Sequence, residues 1–223
     1  MKKRVLSVAI VATSLFAISC NHHTKDLPVD NACDPTMVEN IQYVIVAEQQ
    51  SSANNKAYAQ KATEENHKNV AKLFSAKSKA DSIRAEKHKA VLASMTDTTK
   101  LPPRPAVKKV QPKTTSENLK QSINDDEYQV TIVYPNYIEQ AVMAGDSLTV
   151  TTLQWAADGR KNDQKYGLAV LESVTKNGND TSVSDTWYVC PICGTISDSI
   201  SKAGTTNCNE CGMVEEDFIV VNN

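Results

Sequence analysis

Four cysteines near the C-terminal end constrain the fold of this chain more than any other feature. They lie in two Cys-x-x-Cys-Gly segments, residues 190–194 and 208–212, with fourteen residues between the two cysteine pairs. Each such turn points two thiolates at one ion, and the glycine that follows allows the positive φ that turns backbone N–H groups toward the sulfurs. Four soft sulfur ligands select iron or zinc over hard cations. We therefore predict that one Fe or Zn ion is bound by Cys190, Cys193, Cys208 and Cys211.

Two structural disulfides in an exported protein are the alternative interpretation of these cysteines. A disulfide within a Cys-x-x-Cys turn is strained, and the paired glycines would then have no role. The metal site is the favoured prediction, and the choice between iron and zinc stays open at this point.

The N-terminal segment has the composition of an export signal. Basic residues at positions 2–4 precede an apolar run, Val5–Ile18, which is too short for a transmembrane anchor. The sequence Ala17-Ile18-Ser19-Cys20 resembles the lipobox of bacterial lipoproteins, in which the cysteine is acylated. We expect a signal peptide over residues 1–19 and a lipidated tether over residues 20–33, with the protein anchored in a bacterial membrane and facing the periplasm or the cell surface. Ordinary signal cleavage, which would leave a soluble protein, is the alternative.

The charge balance argues against a nucleic-acid partner. Removal of the first nineteen residues takes three of the 24 basic residues, which leaves 21 against 26 acidic ones and a net charge of about −5. Such a chain offers no general attraction to nucleic acid. About two hundred mature residues allow one medium domain and one small one. With only three Phe and two Trp, the core is expected to consist of Ala, Val, Leu and Ile.

The first half of the region 34–177 is predicted to form two helices. Asp34-Pro35 supplies an N-cap residue followed by proline at the first helical position, and no Gly or Pro then occurs until Pro102. This stretch is too long for one globular helix. We expect a break near residues 62–66.

Two more helices are predicted after a basic, proline-containing linker over residues 98–114. Thr114-Thr-Ser-Glu117 is a capping box, which opens the third helix. Gly145-Asp146 ends that helix and caps a fourth one, which runs to about Lys176. Four long helices with one long crossover favour a ferritin-like bundle.

Residues at 3.6-residue spacing predict the inward face of each helix, and polar side chains interrupt each face. The predicted inward residues are Met37, Ile41, Val44 and Glu48 on the first helix; Val70, Leu73, Asp81, Arg84, His88 and Val91 on the second; Leu119, Ile123, Asp126, Val130 and Val133 on the third; and Leu148, Trp155, Gly159, Asn162 and Tyr166 on the fourth. Buried acids are costly unless they bind a metal or pair with cations. The acids on these faces are therefore candidate site residues.

The mature chain resembles a rubrerythrin, in which a ferritin-like di-iron bundle is joined to a rubredoxin-like domain. The most specific matches are the two cysteine knuckles and Tyr134-Pro135 within the third helix. The others are residues 40–50, 73–88, 116–119, 126–135 and the segment that begins at Trp187. The resemblance implies a mostly α fold with a bundle over residues 34–177 and a small rubredoxin-like β domain over residues 178–223. It also implies a homodimer, and peroxide reduction with electrons passed from the tetrathiolate iron to the di-iron site.

The chain departs from the family at the di-iron ligands. The family places a Glu on helix one, Glu-x-x-His on helix two, two Glu on helix three and Glu-x-x-His on helix four. Carried over position by position, these ligands become Glu48; Asp81 and Arg84; Asp126 and Gln129; and Gly159 and Asn162. A shift of the fourth-helix alignment would bring in Asp158 or Asp163, but that helix contains no histidine. Arginine and glycine cannot ligate a metal. A working di-iron centre is therefore not expected, and no catalytic residue is assigned.

Arg84 stands where the family has a metal-binding histidine, and its position leads to a structural prediction. Glu48, Asp81 and Asp126 should face one another at the centre of the bundle, where three carboxylates without a cation would repel. We expect the planar guanidinium of Arg84 to bridge these acids. His67 and His88 are expected at the surface or rim rather than as ligands, and His22 and His23 in the tether.

Three further predictions concern Pro135, the aromatic residues near the knuckles, and Cys33. Pro135 leaves the carbonyl of Thr131 without its helical donor, so a kink is expected there. Trp187 and Tyr188 are expected to cover the metal site. Cys33 could form a bridge between chains.

Two functions remain open at this stage. The first is an iron-binding redox protein that transfers electrons through its tetrathiolate site, on a bundle whose ancestral peroxide-reducing centre is lost. It resembles a non-haem iron peroxidase with an incomplete ligand set, and its redox partner is unknown. The second is a lipid-anchored binding or structural module in which zinc folds a small ribbon domain. The colour of the purified protein separates them, since an oxidised iron tetrathiolate is red and zinc is colourless.

Overall fold

A computed structural model describes residues 35–200 and 207–222 of the chain. The predicted signal peptide, the lipidated Cys20, the tether and Cys33 lie outside these described residues. Among the helices that the structure describes, none is long and apolar enough to cross a membrane.

The first two helices form an antiparallel hairpin with the predicted break between them. Helix α1 spans Pro35–Glu64 and helix α2 spans Lys68–Met95. The turn between them uses Asn66, which has a positive φ of 64°. Asparagine tolerates this left-handed conformation better than most residues, so the reversal takes only three residues between the helices.

A long crossover returns the chain to the start of the third helix. It includes a short 3-10 turn, Thr98–Lys100, and then extended chain as far as the N-cap residue Thr114. The Thr114 hydroxyl accepts a hydrogen bond from the Glu117 N–H, and the Glu117 carboxylate accepts one from the Thr114 N–H. The predicted capping box is confirmed, and it satisfies two N–H groups that the helix leaves free.

The third helix is continuous but changes its winding in the middle. Helix α3 spans Thr115–Tyr128, a π-helical turn covers Gln129–Val133, and helix α4 spans Tyr134–Met143. Pro135 has no N–H to donate, and the wider turn lets the Tyr134 N–H bond to the Gln129 carbonyl instead. At the place where the sequence predicts a kink, near Thr131, the structure thus has a π-turn.

Helix α5, Ser147–Asn177, completes the bundle. The Asp146 carboxylate caps its first turn by accepting from the Thr149 N–H. Gly178 ends the helix with a φ of 66°, a conformation that glycine adopts without strain. Both ends lie within one or two residues of the predicted boundaries.

A three-stranded antiparallel sheet follows the bundle. Its strands are β1, Trp187–Val189, β2, Ile196–Ser197, and β3, Ile219–Val221, in the order β2-β1-β3. Val189 pairs with Ile196 on one side and with Ile219 on the other. Side chains alternate along β1, so Trp187 and Val189 point into the bundle and Tyr188 points away.

Two apolar clusters fill the bundle, and a charged layer separates them along α1, α2, α3 and α5. The first cluster includes Tyr58, Phe74, Leu119, Val170 and Trp187, and the second includes Met37, Ile41, Leu92, Tyr134 and Leu153. Between them on successive helices lie Glu48, Arg84, Asp126 and Arg160, all almost fully buried. The C-terminal sheet shares the first cluster with α1 and α2, so it packs directly on the bundle.

The predicted inward faces of α1 and α2 are confirmed, whereas the prediction for α5 is wrong by about one residue. Leu148 is half exposed, and Trp155, Asn162 and Tyr166 are only partly buried. Of the predicted inward residues only Gly159 is buried, and the inward face of α5 consists of Thr149, Thr152, Leu153, Ala156, Ala157, Gly159, Arg160, Asp163, Gly167, Val170 and Val174. Small and charged residues dominate this face. The positions of the large apolar side chains therefore predict an inward face that is rotated about the helix axis.

Candidate functional site

The four C-terminal cysteines converge as the sequence predicts. The Cys190 and Cys211 sulfurs lie 3.5 Å apart, as do those of Cys193 and Cys208, and all four thiols are free. All four sulfurs lie within 4.8 Å of one another. A tetrahedral ion with sulfur bonds of 2.3 Å requires sulfur–sulfur distances of about 3.8 Å. The cluster therefore fits one tetrahedral metal ion.

Backbone geometry shapes both knuckles in the same way. The Gly194 N–H donates to the Cys190 carbonyl at 3.0 Å, and the Gly212 N–H donates to the Cys208 carbonyl at 2.9 Å. The two glycines have φ values of 74° and 75°, which residues with a Cβ rarely adopt. Hydrogen bonds from the neighbouring thiols of Cys193 and Cys208 lower the pKa of Cys190 to about 4, whereas those with Cys190 and Cys208 raise the pKa of Cys193.

The residues that cover the cysteine cluster differ in part from the prediction. Tyr188 packs against the cluster as expected, together with Trp155 from α5. Trp187 does not, because it points into the bundle core and meets Tyr166 edge to face at 5.0 Å. Cys211 is the only one of the four cysteines that is not buried, so the cluster approaches the surface at this ligand.

Arg84 lies in the centre of the bundle and binds three carboxylates. Its Nε donates to Glu48 at 3.2 Å, and its Nη2 donates to Asp81 at 2.5 Å and to Asp163 at 2.7 Å. Its side chain is 1% exposed. The predicted bridge between Arg84 and the acids is confirmed for Glu48 and Asp81. The third acid that it contacts is Asp163 rather than Asp126.

Two further buried cations complete this charge cluster, and sequence reasoning missed both. Arg160 donates to both oxygens of Glu48, to Asp126 at 2.8 Å, and lies 3.2 Å from Asp81. Lys77 donates to Asp126 at 2.6 Å. The charge cluster therefore comprises four carboxylates, Glu48, Asp81, Asp126 and Asp163, and three cations, Lys77, Arg84 and Arg160.

The charge cluster holds one more acid than it has cations. Burial raises the pKa of Asp163 to about 7, although Arg84 opposes this shift. Its Oδ1 atom has no hydrogen-bond partner among the described residues. For Asp81, by contrast, Arg160 and Arg84 outweigh the effect of burial and lower the pKa. A proton on Asp163 would leave the cluster electrically neutral.

Neutral hydrogen bonds fix the remaining oxygens of the acids. The Tyr134 hydroxyl, positioned by the π-turn, donates to Glu48 Oε1 at 2.6 Å. The Asn55 amide donates to Asp81 Oδ2 at 2.8 Å. Each carboxylate that replaces a family ligand thus has donors from the protein itself.

The sequence places His88 on the inward face of α2 but also at the surface or rim, and the second expectation is wrong. This side chain is fully buried rather than at the surface or rim, and neither ring nitrogen has a hydrogen-bond partner among the described residues. Burial and the positive charges of Arg84 and Arg160 lower the pKa of His88 to about 3, so the imidazole is neutral. His67 is partly exposed, at the N-cap of α2.

Three family ligand positions lie outside the charge cluster. Gln129 is in the π-turn and lines a surface cleft of about 480 Å³ that reaches Arg160. Gly159 and Asn162 face the first cysteine knuckle, and the Asn162 amide donates to the Ile196 carbonyl at 3.2 Å. Of the two acids in the shifted alignment, Asp163 is buried in the cluster and Asp158 pairs with Lys161 near the surface.

The two candidate sites differ in how well they fit a metal. The four cysteines offer soft donors at distances that suit one ion. At the bundle centre, ammonium and guanidinium groups already bind the carboxylates, and the buried histidine is not part of the cluster. The residues at the bundle centre do not fit a di-iron site.

A long-helix bundle with a tetracysteine module after its last helix defines the class of ferritin-like proteins with a rubredoxin-like domain. The rubrerythrin family model matches residues 39–161, more than half of the chain. The chain belongs to the rubrerythrin family.

Two characterised proteins illustrate the sequence similarity. The chain is 26% identical over 159 residues to nigerythrin of Nitratidesulfovibrio vulgaris, which covers 71% of this chain and 75% of that protein. It is 24% identical over 164 residues to rubrerythrin-2 of Clostridium acetobutylicum, covering 72% of this chain and 83% of that protein.

Solved structures confirm the fold. A fully reduced, all-ferrous nigerythrin structure superposes with a TM-score of 0.73 at 23% identity and covers 99% of this chain and 100% of that one. An open-pore ferritin from Archaeoglobus fulgidus has a TM-score of 0.58 at 16% identity, with 67% of this chain and 91% of that one covered.

Proposed function

We propose that this protein carries single electrons through an iron ion bound by its four cysteines, and that its bundle has lost the peroxide-reducing di-iron centre of the family. The two halves of this proposal rest on different parts of the molecule. The cysteine cluster supports the redox role, and the charge cluster supports the loss of the second centre.

The contacts of Arg160 and Arg84 are the observation that best supports the loss of the di-iron centre. Together the two guanidinium groups bind all three acids that occupy family ligand positions, Glu48, Asp81 and Asp126. Binding a metal there would require the displacement of buried cations, which would then lack partners in a medium where unpaired charge is costly. The family histidine position on α2 is itself an arginine, which has no lone pair to offer.

The cysteine cluster has the donor set and surroundings of an electron-transfer site. When iron is bound, such a site supplies a one-electron ferric/ferrous couple. The buried sulfurs of Cys190, Cys193 and Cys208 are shielded from water, and Cys211 lies nearest to the surface. A one-electron donor protein and a one-electron acceptor protein could therefore exchange electrons with the site at the Cys211 side.

Absorption spectroscopy of the iron-loaded protein tests both halves. The oxidised protein should be red, and reduction should bleach it. After anaerobic reduction, hydrogen peroxide should restore the colour no faster in the wild type than in a Glu48→Gln variant, which removes the one family ligand that the chain retains. Rapid peroxide turnover by the wild type would contradict the loss of the di-iron centre. A colourless protein that binds only zinc would contradict the redox role and support the structural zinc module instead.

A further inference from the structure

We infer that Arg84 is a positioning residue for the cysteine-bound metal, which it reaches through one peptide group. This peptide relay consists of the Arg84 guanidinium, the peptide group between Gly194 and Thr195, and the Cys193 sulfur. It holds the first knuckle against the bundle and raises the reduction potential of iron bound there. The effect on the potential rests on the proposed redox function, whereas the positioning does not.

The first link of the relay is a hydrogen bond between the bundle and the knuckle. Arg84 Nη1 donates to the Gly194 carbonyl oxygen at 3.0 Å, and the bond is buried. The other nitrogens of the guanidinium are held by Glu48, Asp81 and Asp163. Because a planar guanidinium bound on its other edges has a fixed orientation, the contact with the knuckle is made without further ordering of the side chain.

The second link runs through the same peptide group to a metal ligand. Gly194 directly follows the ligand Cys193 and has a positive φ of 74°, which turns the N–H of Thr195, in the peptide whose carbonyl accepts from Arg84, toward the Cys193 sulfur. A hydrogen bond to the carbonyl polarises the peptide and strengthens the bond that its N–H makes. The charge of Arg84 is thereby felt at the sulfur.

Two glycines allow the helices and the knuckle to approach this closely. A Cβ on Gly159 would lie 3.0 Å from Arg84 Nη1 and 3.9 Å from the Cys193 carbonyl oxygen. A Cβ on Gly194 would lie 2.8 Å from the Ala80 carbonyl oxygen, closer than such atoms approach. The glycine at a family ligand position thus has a role, because it leaves room for the guanidinium and the knuckle together.

The expected redox effect follows from charge. Reduction adds one negative charge to the iron–thiolate site, and hydrogen bonds to the sulfurs stabilise that charge and raise the potential. A relay that ends in a buried cation should stabilise the reduced form more than the oxidised one. Loss of the relay should therefore lower the potential.

Two variants weaken the relay, and a third serves as a matched control. Arg84→Lys keeps the positive charge but lacks the fork that reaches the acids and Gly194 at once. Gly159→Ala removes no charge and crowds the Nη1 atom. Gly167→Ala makes the same change on the same helix, but its Cβ would meet Ile123 at 2.9 Å inside the bundle, away from the knuckle.

Zinc release to a chelator and the reduction potential of the iron form are the two measurements. In the zinc-loaded full chain, Arg84→Lys and Gly159→Ala should release zinc about tenfold faster than the wild type, the scale of one hydrogen bond to a charged group. In the iron-loaded chain, both should lower the reduction potential, while Gly167→Ala leaves both quantities unchanged.

An unchanged potential in either relay variant, or zinc release as slow as in the wild type, would overturn the inference. If Arg84→Lys does not fold, the measurements on Gly159→Ala still test the peptide relay. A wild-type protein without a reversible iron couple would contradict the proposed redox function, and with it the effect of Arg84 on the reduction potential. The rate of zinc release would still show whether Arg84 positions the first knuckle.

Discussion

Asp163 sets the proton balance of the charge cluster. Its folded-state pKa of about 7 lies above the ordinary value of 3.8. Between these two values the folded protein binds more protons than the unfolded chain, so the free energy of unfolding contributed by this group falls as the pH rises. His88 contributes with the opposite sign, because its pKa of about 3 lies below the ordinary 6.5. Stability from His88 is present above pH 6.5 and is lost as the pH falls toward 3.

Asp163→Asn should separate these two effects. Asparagine cannot ionise, so the variant should gain stability relative to the wild type as the pH rises from 4 to 7, by up to about 1.4 kcal/mol per pH unit. The His88 contribution is common to both proteins and cancels in the difference. Urea denaturation over this pH range measures the effect.

Asp158→Asn is the matched control, since Asp158 lies on the same helix near the surface and pairs with Lys161. This variant should follow the wild type over the whole range. A stability difference between Asp163→Asn and the wild type that does not change with pH would show that Asp163 is not the group that holds the proton.

The acids of the cluster could be predicted from the sequence, but most of its cations could not. Glu48, Asp81 and Asp126 interrupt otherwise apolar faces, which is a visible signal. Lys77 lies four residues after Leu73 on the predicted inward face of α2, but a lysine is ordinarily a surface residue. Only the presence of a buried acid opposite, which the sequence of one helix does not show, makes its burial favourable.

The π-turn is the element that aims a donor at the charge cluster. It inserts one extra residue into the third helix and directs Tyr134 toward Glu48. The sequence predicts a kink at Pro135, not a widened turn. Whether a helix bends at a proline or forms one wider turn depends on the contacts that its side chains make with neighbouring helices.

Tyr134→Phe should lower the free energy of unfolding by about 1–3 kcal/mol, because it removes a buried donor and leaves a carboxylate oxygen with fewer partners. Tyr137→Phe, in the following turn, is the control. Its ring is only partly buried against Tyr43, and the expected change is below about 0.5 kcal/mol. Equal effects of the two substitutions in urea denaturation would contradict the role of the Tyr134 hydroxyl.

The phase of α5 shows why the sequence misplaced part of the site. Trp155 and Tyr166 have large side chains, and the predicted inward face of α5 was centred on them for this reason. Both lie at the seam with the C-terminal module rather than in the bundle core. The alternative series, from Thr149 to Val174 through Arg160 and Asp163, has equally regular spacing. That series places a cation at the centre and could have revealed it.

At the scale of the whole molecule, the charged layer connects the bundle to the metal module. Apolar clusters lie on both sides of the layer, and Arg84, which belongs to the layer, donates a hydrogen bond to the first knuckle. Buried ion pairs are often no more stabilising than apolar packing. Their presence here is better explained by the fixed geometry that they impose on the module than by a gain in stability.

Membrane attachment is a separate prediction about the whole chain. If Cys20 is acylated, the mature protein should fractionate with membranes, and Cys20→Ala should release it or block its processing. Several acyl chains anchor a protein stably, whereas one alone binds only marginally. A soluble mature form that begins at an unmodified Cys20 would favour plain secretion.

The number of metal ions per chain tests the central claim most directly. The full-length mature protein and a Cys193→Ala/Cys208→Ala variant would be loaded with excess ferrous iron, desalted and analysed for bound metal. With cations in the place of the di-iron centre, we predict one iron per wild-type chain and none in the variant. Two irons that remain in the cysteine variant would contradict the account, because they could bind only at the bundle.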